Sequence, residues 1–244
     1  MNKTDFNFTS RDEKKKYVRQ MFSNIAGRYD FLNHFLSVGQ DYRWRRIAIG
    51  IVSKHLITIA QPQILDIACG TGDLSFEALR QIPTAHITGI DLAKPMLDVF
   101  QEKITKRSVH ITIAEGDVEA LQFLDNTFDA VTIGFGTRNF TKLEIAFAEI
   151  YRVLKPGGIF VNLELSKPRH FPMKQFYSFY SRFILPLIGK GVSKNGEAYS
   201  YLPDSVQKFP EREEIITMLS TIGFKKARWR DLSAGIVTMH IGEK

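Results

Sequence analysis

Ile64-Leu-Asp-Ile-Ala-Cys-Gly-Thr-Gly-Asp73 is an apolar run that passes directly into a loop carrying two glycines. Branched aliphatics in a short block read as a buried strand, and Gly70 and Gly72 let backbone come close to a ligand. Downstream the same order recurs. Ile87-Thr-Gly-Ile-Asp91 is a second strand closed by an acid, and Pro95 marks a helix start. Val109 to Ala114 is a third strand, leading to the turn Glu115-Gly-Asp117-Val118, and Phe128 to Ile133 a fourth, leading to Gly134-Phe-Gly136. Leu143, Phe147, Ile150 and Leu154 share one helical face, with Thr141 and Glu144 spaced as a capping box. That helix stops at Lys155-Pro-Gly-Gly158, before the strand Ile159 to Leu165. Five βα units in series predict an α/β fold with a doubly wound sheet.

In such a sheet the residues at successive strand ends, Asp66, Asp91, Asp117 and Gly134, line one crevice along the carboxyl edge. These acids also suit helix caps and turns, and for Asp73 the reading is a helix N-cap. Asp91 and Asp117 are read instead as ligand groups, because each ends a strand on the same edge. The third glycine of a dinucleotide fingerprint is replaced by Ser75, so the helix start has no adaptation for a pyrophosphate. An acid at the Asp91 position suits both ribose hydroxyls. The ligand that fits is an adenosine without phosphate, S-adenosylmethionine, whose carboxylate and ammonium meet the loop amides around Gly70, Thr71 and Gly72 and an acid such as Asp66. Val118 flanks the adenine while Asp117 accepts from its exocyclic amine. Cys69, the only cysteine, reads as a small residue and not as a nucleophile. The six histidines are scattered singly, so no metal site is expected.

A chain of 244 residues buries enough apolar surface to need neither disulfide nor metal, and a single cysteine points to a reducing compartment. No long apolar run follows the N-terminal charges, and Phe183 to Ile188 is too short to span a bilayer, so a cytoplasmic protein that at most lies on a membrane is expected. The net charge of +7 admits nucleic acid, an anionic membrane or a solvated surface as its reason. The one basic run, Lys14-Lys15-Lys16, falls on a helix capped by Ser10 and Glu13 with Val18, Met21, Phe22 and Ile25 as its apolar stripe. It reads first as a solvated face and second as a membrane-facing patch.

The expected organisation is one domain: an N-terminal helical extension (1–60), a cofactor-binding core (61–165), a lid insertion (166–209) and a C-terminal helix with a strand pair (210–244). In the extension, Tyr29-Asp-Phe-Leu-Asn33 sits between two helical patterns. The insertion is dense in aromatics, among them Phe176, Tyr177, Phe183, Tyr199 and Tyr201, interleaved with Lys167, Arg169, Lys174, Arg182 and Lys190. That mixture predicts a lid over an apolar acceptor in preference to ordinary core.

From about residue 17 to 244 the chain resembles the menaquinone and ubiquinone biosynthesis C-methyltransferases, within the class I S-adenosylmethionine-dependent methyltransferases. The resemblance is carried by Arg152-Val-Leu-Lys-Pro-Gly-Gly158 through Glu164-Leu-Ser166, by Gly134-Phe-Gly-Thr-Arg-Asn139, and by Tyr201-Leu-Pro-Asp-Ser-Val206. Tyr29, Asp30, Asn33, Ser37 and Trp44 match the family's N-terminal pattern, while Leu32 stands for its Met and Asp41 for its His. The lost imidazole leaves position 41 without an assigned acid–base role. The resemblance implies a seven-stranded, mostly parallel sheet with N-terminal helices and a helical lid. It places the cofactor at Thr71, Asp91, Asp117, Val118 and Gly134.

The implied reaction is C-methylation of a polyprenylated quinol, demethylmenaquinol to menaquinol, with the analogous benzoquinol step of the ubiquinone pathway beside it. Arg138, Asn139, Tyr29 and Asp30 are the polar catalytic candidates, Arg138 stabilising a developing phenolate directly or through a water. Asn33, Tyr177, Tyr199 and Tyr201 are the substrate candidates. The expected partners are the quinol and, transiently, the inner face of the membrane, without nucleic acid; a homodimer is compatible with the reading. One rival, an RNA or DNA methyltransferase, calls for Asn/Asp-Pro-Pro-aromatic or a Pro-Cys nucleophile after the fourth strand, where this chain has Gly134-Phe-Gly-Thr. A second, a non-catalytic member of a quinone-synthesis complex, is at odds with an intact cofactor loop.

Overall fold

The computed structural model describes residues 6, 8–179 and 197–244, without the side chains of residues 178 and 197–200. The expectations for Phe183 and for the side chain of Tyr199 lie outside the described residues. Three helices come first: α1 (Arg11–Ile25), α2 (Tyr29–Leu36) and α3 (Gln40–His55). The alternating region follows as β1 (Gln63–Ile67), α4 (Asp73–Gln81), β2 (His86–Asp91), α5 (Lys94–Arg107), β3 (Thr112–Glu115), β4 (Phe128–Gly134), α6 (Leu143–Val153) and β5 (Leu154–Leu165). Then come α7 (Met173–Phe179), α8 (Glu197–Lys208), α9 (Arg212–Ile222), β6 (Lys225–Leu232) and β7 (Val237–Glu243).

The seven strands order β3-β2-β1-β4-β5-β7-β6, parallel except for β7, which runs antiparallel to both β5 and β6. This is the α/β sheet expected. Strand alternation splits its core in two. Ile64, Ala130, Ile159 and Val161 pack with Trp44, Ile49, Leu74 and Phe100 on one face, and Leu65, Ile67, Val131 and Phe160 pack with Phe147, Leu219 and Phe224 on the other. The strand order reverses at β1, whose neighbours are β2 and β4, so the crevice expected in a doubly wound sheet opens beyond their carboxyl ends.

Several local expectations change. Tyr29 to Asn33 form the first turns of α2 and not a linker. Between β3 and β4 there is no full helix, only the 3-10 turn Val118–Ala120. Asp73 is the first residue of α4, and Gly72 occupies the cap position with φ +87, where a Cβ would lie 2.0 Å from the Phe100 ring. Thr141 does not cap α6. The carboxylate of Glu119 accepts instead from the amides of Thr141 (2.9 Å) and Lys142 (3.0 Å) and from Thr141 Oγ1 (2.5 Å), so an acid from another turn holds the two residues that lead into the helix. The basic run of α1 is not a solvated face. Lys14 donates to the carbonyl of Phe140, Lys15 pairs with Asp117 (2.5 Å) and Glu119 (2.9 Å), and only Lys16 is exposed. The reason is that α1 lies across the acids that follow β3. Among the described residues, no helix is long and apolar enough to cross a membrane.

Candidate active site

The loop after β1 and the turn after β4 form the floor of the crevice. Ala68 (φ 52) and Phe135 (φ 62), both non-glycine, adopt left-handed backbone there, a strain that collects at ligand-binding turns. A Cβ on Gly70 would approach Met96 Cε at 3.3 Å, and one on Gly134 would approach Leu74 Cδ2 at 3.2 Å, so both positions keep the floor low. Asp91 accepts from the amides of Gly70 (2.9 Å) and Ala93 (2.8 Å), one on each oxygen. Its burial raises its pKa, and those amides work against the rise. A carboxylate has about four acceptor sites, so each oxygen retains capacity for a hydroxyl.

Asp66 lies deeper, 1% exposed, taking hydrogen bonds from Ser75 Oγ (2.5 Å) and Thr132 Oγ1 (3.1 Å). Burial pushes its carboxyl up to about 6. Asp117 receives Lys15 on one oxygen and the amide of Glu119 on the other. Burial opposes the ionisation of Glu119, yet hydrogen bonds from Thr141 and Lys15 hold it down to about 2, so the Lys15 ammonium faces two carboxylates. The crevice runs between Phe22, Tyr29, Met96, Val118, Phe135 and Asn139. An apolar slot beside Val118, acids for ribose and amine, and bare loop backbone together fit S-adenosylmethionine.

A second cavity shares Tyr29 and Phe135 with the first. Its walls come from α2 (Asn33, Leu36), α3 (Asp41, Trp44, Arg45), the end of β5 (Leu165), α7 (Tyr177) and α8 (Leu202), together with Ser37, Arg138 and Ile236. Trp44 is anchored by its indole N–H to Ser233 Oγ at 2.9 Å. Arg138 is set by Glu164, a 0% exposed acid that accepts both its amide (3.0 Å) and its Nη1 (2.7 Å), while Nη1 also reaches the Phe135 carbonyl. Arg138 Nε is buried and has no hydrogen-bond partner among the described residues. Below it a polar chain runs from Thr137 through Asn162 to His240, whose pKa burial pushes down to about 3.

The structure therefore brings Gly70, Asp91, Asp117, Val118, Gly134, Tyr29 and Asn139 to one crevice. Asp66 and Thr71 meet Tyr29, Gly70 and Gly134 in a smaller recess beside it, and Asn33, Arg138 and Tyr177 meet in the second cavity. It does not bring Asp30 there. That carboxylate takes the Thr71 hydroxyl (2.5 Å) and the Lys103 ammonium (2.6 Å) and lines neither cavity. Gly72 serves the loop from beneath. Tyr201 lies on the far side of Arg138, its hydroxyl donating to Asn139 Oδ1 at 3.2 Å, and burial pushes its pKa up to about 12. Lys15 and Arg45 are not anticipated as site residues, and Trp44, Phe135 and Glu164 are, in sequence, only parts of the segments that carry the family resemblance, with no role assigned; Glu164 also stands out as an acid within the apolar strand Ile159 to Leu165.

The family model for the ubiE/COQ5 methyltransferase family matches residues 9–244. Demethylmenaquinone methyltransferase of Bacteroides fragilis is 42% identical over 97% of this chain and 96% of its own. The ubiquinone/menaquinone biosynthesis C-methyltransferase UbiE of Geobacter sulfurreducens is 44% identical over 95% of this chain and 90% of its own. Among solved structures, the cyclase SpnF superposes with a TM-score of 0.68 at 18% identity, over 94% of this chain and 96% of that one, which is a likeness of fold. With the fold, the crevice at the carboxyl edge of the sheet and the family match in agreement, this chain belongs to the ubiE/COQ5 methyltransferase family and is an S-adenosylmethionine-dependent methyltransferase.

Proposed function

We propose that this chain methylates a ring carbon of a polyprenylated quinol, demethylmenaquinol to menaquinol, with the benzoquinol of the ubiquinone pathway as the analogous substrate. The observation that carries this reading is the second cavity, an aromatic and aliphatic chamber that shares the Tyr29 wall with the cofactor crevice. S-adenosylmethionine, when bound, supplies an electrophilic methyl on a positively charged sulfur. Ground-state charge at sulfur is lost as the methyl moves, so the apolar walls favour transfer. Tyr29, Trp44 and Phe135 hold a flat ring and keep water out. Burial raises the pKa of Tyr29, so it serves as a hydrogen-bond donor. Arg138, held from behind by Glu164, offers positive charge to a phenolate oxygen and would contribute ~10²–10³ in rate. In the crevice, Asp91 serves the ribose, Asp117 and Val118 the adenine, and Asp66 the ammonium.

Family membership does not favour the nucleic-acid reading. Purified protein given methyl-labelled S-adenosylmethionine with short-tailed demethylmenaquinol, demethylated benzoquinol or RNA tests the proposal. Label in a quinol ring is the expected result, and label in RNA alone overturns it.

Residues 166–209 are further proposed as a lid that rests on the cytoplasmic face of the membrane, since a long apolar tail leaves a bilayer only at ~0.8 kcal/mol per CH₂. Phe171, Phe176 and Phe179 are exposed on or beside α7, close in sequence to the cavity residue Tyr177. Sedimentation with anionic vesicles should weaken as salt rises and fall in Phe176→Ser/Phe179→Ser; equal sedimentation of wild type and variant would remove the contact.

A further inference from the structure

Methylating an aromatic carbon releases one proton. The C–CH₃ bond forms as the S–CH₃ bond breaks with its electron pair going to sulfur; the phenol proton leaves as the ring attacks, and the displaced ring C–H proton later restores that hydroxyl. One proton per turnover must therefore reach solvent. Among the described residues, the polar groups around the acceptor cavity are two phenols (Tyr29, Tyr177), two cations (Arg45, Arg138), an amide (Asn33), a hydroxyl (Ser37), the Trp44 indole N–H and one carboxylate, Asp41. Neither a guanidinium nor an amide accepts a proton at neutral pH. Glu164 is closed off behind Arg138 and Asp30 is tied to Thr71 and Lys103, so neither lines this cavity.

Asp41 is only 2% exposed, yet it is wired outward. Ser37 Oγ, itself on the cavity wall, donates to Asp41 Oδ1 at 2.5 Å. His34 Nδ1 lies 2.7 Å from Oδ2, and the imidazole side chain is 24% exposed. An imidazole thus reaches position 41 after all, from the preceding helix, where the sequence pattern had suggested that it was lost.

We propose that Ser37, Asp41 and His34 form the proton path of the acceptor cavity, with Asp41 as the group that receives the quinol hydroxyl proton through Ser37. Asp41 takes the proton at Oδ1 while His34 donates its Nδ1–H to Oδ2, and the neutral acid then gives the proton up to water that reaches the pair beside the partly exposed imidazole. The charged and titratable groups facing the pair are Arg45, which binds Asp41 and lies 3.4 Å from Asp73, then Asp73 itself at 3.8 Å from His34 Nε2, and Tyr42, stacked on the imidazole at 4.3 Å. Burial acts to raise the Asp41 pKa, but the Ser37 hydrogen bond and Arg45 lower it overall, so the carboxylate returns to its anionic form after each transfer. Arg45 does not compete as an acceptor; it keeps the buried carboxylate charged.

The path rests on the quinol reading, because it needs an acceptor with an ionisable hydroxyl. The test compares wild type with Asp41→Asn, Asp41→Glu and His34→Gln in single turnovers with short-tailed demethylmenaquinol, alongside cofactor affinity, melting temperature and a rate profile from pH 6 to 10. Asp41→Asn should lose ~10²–10⁴ in rate, the scale of a positioned base, with cofactor affinity within about threefold. Its rate should recover steeply towards alkaline pH as solvent replaces the carboxylate. Asp41→Glu should regain at least a tenth of the wild-type rate, and His34→Gln should lose about tenfold.

A wild-type-like rate in Asp41→Asn overturns the path. So does a loss with no alkaline recovery, which marks a packing role, and so does failure of Asp41→Glu to exceed Asp41→Asn when both melt like wild type. Inactivity of wild type itself towards every quinol overturns the substrate reading and the path with it, a result separate from any difference among the variants.

Discussion

The cofactor crevice and the acceptor cavity lie on either side of Tyr29, yet they are built on different principles. In the crevice, Asp91 is held by the main-chain amides of Gly70 and Ala93, while Asp117 takes the Glu119 amide on one oxygen and Lys15 on the other. In the cavity, charged side chains are held mainly by other side chains: Arg138 by Glu164 from the next strand, and Asp41 by its near neighbours Ser37, His34 and Arg45. A group fixed by backbone tolerates substitution of its neighbours, because the amides remain. A group fixed by a buried counter-charge does not, since removing one partner strands the other.

The largest break should come at Asp91. Asp91→Ala removes charged hydrogen bonds to ribose of ~1.5–3 kcal/mol each and frees the Gly70 amide. Calorimetry with S-adenosylmethionine should show affinity weakened by at least ~100-fold, with the melting transition of the sheet retained. Near-wild-type affinity would mean that the crevice does not hold the ribose at this acid.

Arg138 sharpens the contrast on the other side of Tyr29. Arg138→Ala should cut turnover by ~10²–10³ while cofactor affinity stays within about threefold, and it should also destabilise the fold, because Glu164 is 0% exposed. Breaking a buried pair costs roughly 3–5 kcal/mol. The double variant Arg138→Gln/Glu164→Gln should recover much of the melting temperature and none of the rate. Recovered turnover in that protein would reduce Arg138 to a packing residue.

The smallest effect is a pH slope. The Asp66 carboxyl, ordinarily near 3.8, is pushed up to about 6 by burial, so the folded state favours the neutral acid. Its contribution to stability is present below the ordinary value and is lost as pH rises through about 6. An ammonium needs the carboxylate, so cofactor affinity should run the opposite way, falling roughly tenfold from pH 7 to pH 5. Asp66→Asn should flatten both slopes. A slope in affinity that survives the substitution would assign it elsewhere.

Legibility followed the same division. Strand ends and glycine loops are written in consecutive residues, so Asp66, Gly70, Asp91, Asp117 and Gly134 were readable as one edge before any coordinates. Local spacing misled where a tertiary partner took over a local role. Thr141 has the spacing of a cap, but Glu119 takes both its amide and its hydroxyl. Lys15 has the look of a solvated lysine, but α1 crosses the acids after β3 and pairs it with Asp117. Asp30 matches a family position, but the nearby Thr71 and Lys103 claim its oxygens.

Sequence by itself determined the order of strands and helices, the acids and glycines at the sheet's carboxyl edge, and the resemblance that points to an S-adenosylmethionine-dependent methyltransferase. Periodicity and turn chemistry act between residues a few positions apart, and these features depend on nothing more. Tertiary structure decided the acceptor side: that Tyr29 is a wall between two chambers, that Glu164 orients Arg138, and that His34 restores an imidazole beside Asp41. The wall at Tyr29 depends on how the N-terminal helices pack over the sheet, the Arg138 pair on β5 lying beside β4, and the His34 contact on the turn between α2 and α3. The energy that selects this packing is burial of side chains brought together by the fold, which periodicity does not record.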